Sequence, residues 1–482
     1  MTAPEYDVII VGTGFAGAFF LMRYLERAPA NVRVLVLERG RRDTKEWQLQ
    51  HRRTSSLRPD EVFVNLTPEK DWLTSPGFGG NSKGWMAGAM RMMPGDFQLR
   101  TRYGVGEDWP MTYDDLEAHY GVVEEVMAVA GPAKTPMPRS RPFPLPPHRM
   151  ADVDRLLSER FPDGWFGVTT ARASQATPTR RACCASGICE LCPVDAKFTI
   201  QNGLAHIYDD PRVELQLESP VDTVETAAGG ATGVAFRRDG RVQEARGDLI
   251  VLATSALFNP HILLRSKIDH PLLGKRLHEQ MPIDVCLNLR GVHGYNGSTS
   301  VTGLGYLFYE GDHRRDHAAC IVETRNSPFG SGDAPLRAER GRWHERAYLR
   351  FMFDDVPRED NQVRIHARRP EMPEVEFRGY SDYAERARRR VPAMIDRLAE
   401  ALPIESVAEL YLGSTSAHIQ GTVVMGTDKT RSIVDRHLVH HELRNLLVLG
   451  SSAFPTASPA YPTLTVSALS LWAADHLFSG SA

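Results

Sequence analysis

Apolar residues change their spacing several times along the chain, and each change marks a different kind of element. Residues 8–11 are a short β-branched run, 15–27 space their apolar side chains as a helix does, and 32–37 are a second apolar run. The amino terminus therefore predicts strand, helix, strand. Residues 248–253 predict another strand of the buried kind. From Pro282 to about Glu376, apolar and polar residues alternate in several short runs, the pattern of an antiparallel sheet. Beyond it, Val391, Met394, Ile395, Leu398 and Leu402 recur at helical spacing behind a capping pair, Asp382 and Glu385, which predicts one long amphipathic helix. Gly- and Pro-rich segments interrupt at 75–88 and 132–147, the second proline-dense enough to run as an extended surface strap.

Composition narrows the class without naming a reaction. A chain of 482 residues, 42% hydrophobic and 24% charged, predicts two intertwined domains or one large domain with a lobe. A net charge of −3 sets up no strong field toward nucleic acid or an acidic membrane, so the basic cluster at Arg386, Arg388, Arg389 and Arg390 reads as a solvated helix face. No apolar run reaches the roughly 18 residues needed to span a bilayer. The polar start, Met1 to Tyr6, has no basic flank, apolar stretch or cleavage site, and a cytoplasmic location is the expectation. Six cysteines are too few for a secreted disulfide framework, yet Cys183, Cys184, Cys189 and Cys192 fall close together. Thiols this dense suit iron–sulfur or zinc ligation, a reversible disulfide, or plain free thiols.

The first chemical motif is Gly12-Thr13-Gly14-Phe15-Ala16-Gly17, directly after the first strand and opening the first helix. There the first glycine permits a tight turn, the second lets backbone approach a pyrophosphate, and the third allows close helix–strand packing. The helix amino terminus receives the negative charge. Glu38 closes the second strand where a carboxylate would bond ribose hydroxyls. The motif alone leaves FAD and NAD both open.

Three further segments, in order, make the chain resemble the glucose-methanol-choline (GMC) oxidoreductases. The first is Gly77-Phe78-Gly79-Gly80-Asn81-Ser82-Lys83-Gly84-Trp85, the second Ala245 to Ser266 with Asn259-Pro260-His261, and the third His418-Ile419-Gln420-Gly421-Thr422 followed by Gly450-Ser451 and Pro462-Thr463-Leu464-Thr465. The resemblance implies an α/β fold: a Rossmann-like, glutathione-reductase-type FAD domain from residues 1–130, 196–280 and 421–482. A second, α+β substrate domain, built on the antiparallel sheet, would take 131–195 and 281–420. It also implies a cofactor site at Gly12, Gly14, Phe15, Ala16, Gly17, Glu38, Gly80, Asn81, Ser82, Trp85, Val221, Gly450, Ser451, Pro462 and Thr463, with Trp85 equally readable as packing. Backbone at Val221 would meet the adenine.

The implied reaction is oxidation of a CH–OH group on an alcohol, sugar or glycoside, by hydride transfer to flavin N5 with His418 as base. A neutral imidazole suits that proton transfer. Where the family places a second His or Asn, this chain has Tyr461, whose phenol can still donate or accept a hydrogen bond. That departure keeps a non-oxidising lyase, decarboxylase or isomerase in view as the alternative. An NAD-dependent enzyme on a similar first domain is disfavoured, because nicotinamide chemistry does not call for the segment from His418 to Thr465. Relatives that bind FAD covalently use a histidine where this chain has Gly84, so FAD is expected to dissociate. The cysteine segment resembles an insertion of bacterial sugar-oxidising relatives that carry a three-iron cluster, with one residue fewer before the last cysteine. An iron–sulfur cluster on Cys183 or Cys184 with Cys189 and Cys192, passing electrons to an acceptor protein, stands beside the reading as free thiols. Cys286 and Cys320 read as isolated core residues.

Overall fold

The computed structural model describes residues 5–327 and 342–479. The first four residues of the polar start, and 328–341 within the alternating stretch, lie outside the described residues.

The opening run folds as strand Tyr6–Val11, its apolar side chains buried on both faces as a central parallel strand requires. It pairs in parallel with Val34–Leu37 on one side and with the second half of Arg241–Leu252 on the other, with Val11 opposite both Leu37 and Leu252. Val213–Gln216 extends the layer beyond Val34–Leu37, and Leu446–Val448 pairs in parallel with the far side of Arg241–Leu252. The first half of that long strand instead pairs antiparallel with Gly230–Arg238, and Gly230–Arg238 with Val221–Ala227. One strand thus joins a parallel layer to an antiparallel meander, built from widely separated stretches of sequence. Helix Phe15–Arg27 covers the layer and packs against Thr463–His476, a helix buried nearly all round.

The alternating stretch forms the expected antiparallel sheet, with two changes. Its strands are Met281–Leu289, Val301–Phe308, Cys320–Arg325 and Arg346–Phe353, extended at one edge by Ile404–Leu412 and at the other by Trp165–Gly167. The later runs, Gln362–Ile365 and Pro373–Glu376, leave this sheet and pair with each other and with Val64–Asn65. The long helix is also two: Asp382–Arg388 and Val391–Leu398. Pro392 has no N–H to give to a preceding carbonyl and its ring disfavours continuing the turn, so the first helix stops before it. The cap is Ser381, whose hydroxyl accepts from the Ala384 amide, rather than Asp382. Residues 132–147 form no helix or strand beyond one isolated bridge at Leu145, as a strap would. Arg386, Arg388, Arg389 and Arg390 are exposed, Arg388 pairing with Glu385. No helix among the described residues is long and apolar enough to cross a membrane.

Candidate active site

The glycine turn and the antiparallel sheet border one cavity of about 620 Å³. At one end it is lined by Gly12, Gly14, Phe15, Ala16 and Glu38, then by Gly80, Asn81, Trp85, Val221, Gly450, Ser451, Pro462 and Thr463. At the other it reaches His418 and Tyr461. Of the residues expected around a cofactor, Gly17 and Ser82 alone stand behind the lining. A Cβ on Gly17 would come within 2.1 Å of the Gly12 carbonyl oxygen, so its role is close packing. The Ser82 hydroxyl donates to the Gly79 carbonyl and accepts from the Ile200 amide.

The turn is shaped for a phosphate. Gly12 has φ +104, and a Cβ there would meet the Ala253 carbonyl oxygen at 2.6 Å. Nothing of the protein lies within 4 Å of where a Gly14 Cβ would be, and the first turn of the following helix carries no acidic residue. A dinucleotide pyrophosphate fits that open, positively polarised helix end. Glu38 is buried and accepts from the Thr13 amide (3.0 Å) and hydroxyl (2.7 Å) through one oxygen, and from the Gly40 and Gly77 amides through the other. It staples the glycine turn to the second glycine-rich loop while still lining the cavity. The Trp85 indole donates to the Phe198 carbonyl (2.7 Å) and its ring meets Phe15 edge-on, so it both packs and lines.

At the other end, two consecutive buried side chains hold the His418 loop. The Glu279 carboxylate accepts from the Ser416 amide (3.0 Å) and from the Thr415 hydroxyl, and forms a close ion pair with buried Lys70, which also donates to the Ser414 carbonyl. Gln280 addresses the imidazole. Its amide nitrogen donates to the Ser458 and Ala460 carbonyls (2.8 and 2.9 Å), which turns its oxygen to His418 Nδ1, 3.1 Å away. An amide oxygen only accepts, so Nδ1 carries the proton and Nε2 keeps its lone pair. Burial, with Arg350 and Arg325 nearby, pulls the His418 pKa down to about 3, so the ring is neutral across the physiological range.

The Tyr461 ring lies 5.2 Å from that of His418, and its phenol donates in a short contact to Glu323. Burial and the Glu323 charge push the phenol well above its ordinary pKa. Gly88 is what admits the ring, since a Cβ there would sit 2.2 Å from it. Asp284, Arg350 and Glu323 are register partners on three neighbouring strands and so project to one face, and all three line the cavity. Arg350 grips Asp284 through two bonds of 2.7 Å, and Arg325, two residues along from Glu323, forms a close ion pair with it. This charged wall, with Gln280, Glu279 and Gly88, went unseen in the sequence. Alternation of charged and apolar residues there predicts a sheet but singles out none of these side chains.

The cysteines are not gathered into a ligand set. No disulfide joins any of the six. Cys189 Sγ lies 3.3 Å from the Arg172 guanidinium, Cys192 Sγ accepts from the Ala196 amide, Cys184 is exposed and Cys183 half-buried. Among the described residues no three His, Cys, Asp or Glu side chains are placed to hold a metal ion, so the expected cluster gains no support. The Cys189 and Cys192 thiols turn to separate protein partners instead. Cys286 and Cys320 are buried in the sheet.

A phosphate-receptive turn and a neutral, oriented imidazole sharing one cavity define the class: a dinucleotide-dependent oxidoreductase. Residues 357–470 match the family model described as GMC oxidoreductase. The chain is 24% identical to the fructose dehydrogenase large subunit of Gluconobacter japonicus, over 98% of each. Its fold is similar to pyridoxine 4-oxidase from Mesorbium loti (TM-score 0.70, 19% identity, 98% of this chain and 99% of that one). It is also similar to a formate oxidase of Aspergillus oryzae RIB40 determined to examine FAD modification (TM-score 0.67, 15% identity, 100% and 99%). Along nearly its whole length the chain is thus similar to GMC-type enzymes, its 357–470 stretch carries their family model, and these matches support an FAD flavoprotein oxidoreductase.

Proposed function

We propose that the protein oxidises a CH–OH group of a small alcohol or sugar, with His418 as base. The observation that carries this is the Gln280–His418 pair, which presents a neutral imidazole with Nε2 unprotonated on a cavity continuous with the glycine turn. FAD would be held, without a covalent bond, by the turn at Gly12–Ala16, by Glu38 at the ribose, by Val221 at the adenine, and by Gly80, Asn81, Trp85, Gly450, Ser451, Pro462 and Thr463 along its length. Bound FAD supplies the two-electron acceptor for the hydrogen on the carbinol carbon. His418 Nε2 takes the hydroxyl proton, and the Gln280 oxygen steadies the imidazolium through Nδ1–H. The Tyr461 proton is committed to Glu323, so the phenol oxygen is left as an acceptor for a substrate hydroxyl. Residues 1–130, 196–280 and 421–482 would form the cofactor domain and the remainder the substrate domain. Reoxidation of the flavin by an electron-acceptor protein belongs to the same reading; the similar fructose dehydrogenase chain is named as a large subunit, hence one member of an assembly.

Purified protein mixed anaerobically with a panel of alcohols and sugars is expected to lose its oxidised-flavin absorbance with at least one of them, and His418→Ala to slow that loss roughly 10²–10⁴-fold. Product formation with no net electron transfer would sink the reading in favour of a lyase or isomerase. Flavin should separate from the polypeptide on denaturation and filtration.

A further inference from the structure

The charged side chains at the reacting end of the cavity do not cancel. Arg350 is matched by Asp284 and Arg325 by Glu323. Arg172 also lines the cavity, is only 2% exposed, and among the described residues has no carboxylate within salt-bridge distance. Its Nη1 donates to the Ser300 hydroxyl and to Cys189 Sγ, whose thiol is held below its ordinary pKa against the cost of burial by the Arg172 charge and by hydrogen bonds from Ser300 and Arg172, and its Nε is buried with no hydrogen-bond partner among the described residues. Asp71 and Glu190, the other acids lining this part of the cavity, are exposed. The guanidinium lies at the reacting end, where its charge acts on Tyr461, and not at the glycine turn.

A buried guanidinium with no carboxylate partner is expensive, and its parallel N–H donors match a carboxylate. We infer that Arg172 is an anion subsite and that the substrate is a hydroxy acid, whose carboxylate seats on Arg172 while its carbinol is oxidised beside His418. This names the substrate class for the site and rests on the oxidation reading above. The reaction itself is unchanged: the hydroxyl proton goes to His418, the carbon-bound hydrogen leaves with two electrons to FAD, and the carboxylate is a bystander that neutralises Arg172.

The test uses holoenzyme under anaerobic conditions with matched probes: an aldonic acid against the alditol of equal carbon number, and a short carboxylate without a carbinol against its neutral amide. The acid is expected to reduce the flavin with kcat/KM at least ten-fold above the alditol. The plain carboxylate should perturb the flavin spectrum and compete, with the amide at least ten-fold weaker. Arg172→Met should cut the acid-over-alditol ratio at least ten-fold, with part of it kept in Arg172→Lys. Equal rates for acid and alditol, equal binding of carboxylate and amide, or a slowing of both substrates alike together with a changed flavin potential in Arg172→Met would each overturn the subsite. Should the variants not fold, the carboxylate–amide comparison on the unaltered protein decides. Carboxylate binding with no flavin reduction by any hydroxy acid or alcohol would defeat the oxidation reading and leave the subsite standing. Reduction by alditols with no carboxylate effect would do the reverse.

Discussion

A histidine works as a base only if the correct nitrogen is bare, and for His418, the base proposed above, that is decided by Gln280. Its two N–H bonds to the carbonyls of Ser458 and Ala460 fix the amide, and the amide fixes the ring. Replacing Gln280 by Leu removes the tautomer preference without adding charge. We expect kcat to fall roughly 10- to 100-fold, less than for loss of the base itself, with a visible flavin spectrum retained. Because the imidazole is held at about 3, the free enzyme should show no His418 limb in kcat/KM between pH 5 and 8. An acid limb near 6.5 would mean the ring is solvated as in a peptide. That His418 and Tyr461 would share one cavity was legible in the sequence, since each sits in a recognisable motif. The role of Gln280 was not: it arises where a strand start crosses a loop more than a hundred residues later, and an isolated glutamine carries no signal of that crossing.

At the scale of elements, patterning identified three strands of the parallel layer, the first helix and most of the antiparallel sheet, but not Val213–Gln216 or Leu446–Val448, because burial writes a period only into runs long enough to show one. It misplaced what depends on a single residue or on partners. Pro392 divides a stretch whose apolar spacing is continuous, and Gln362–Ile365 and Pro373–Glu376 alternate like their neighbours yet pair elsewhere. The cavity-facing charges of the sheet were not singled out for the same reason, since alternation says which residues share a face but not whether that face meets water or a cavity. Two glycines tie elements to the site. Gly88→Ala puts a methyl into the Tyr461 ring; thermal or urea denaturation should show a loss of about 1–3 kcal/mol, with turnover reduced. Gly12→Ala strains a left-handed turn against the Ala253 carbonyl, so the variant should purify with little flavin, read as the 450-to-280 nm absorbance ratio.

Across the whole molecule, buried histidines outnumber the groups that oppose them, which sets the pH dependence of stability. Burial pulls His148, His261, His278 and His440 down to about 4, and His418 to about 3. In the unfolded chain each returns to about 6.5. Below that value the unfolded state binds more protons than the native one, so the stability these groups leave intact above pH 6.5 is lost as pH falls toward their folded values. Asp354 and Asp355 act the other way. Burial raises both to about 7, so their contribution is greatest in acid and disappears as pH rises through 7. Asp354, however, is 3.0 Å from the Arg314 guanidinium, which favours its charged form and weakens that opposition. The histidines should therefore prevail, and the urea midpoint should be lower at pH 5 than at pH 7.5, at equal ionic strength and with FAD in excess. A midpoint that rises on acidification would show instead that the two buried carboxylates control the balance, and would place their protons in the native state.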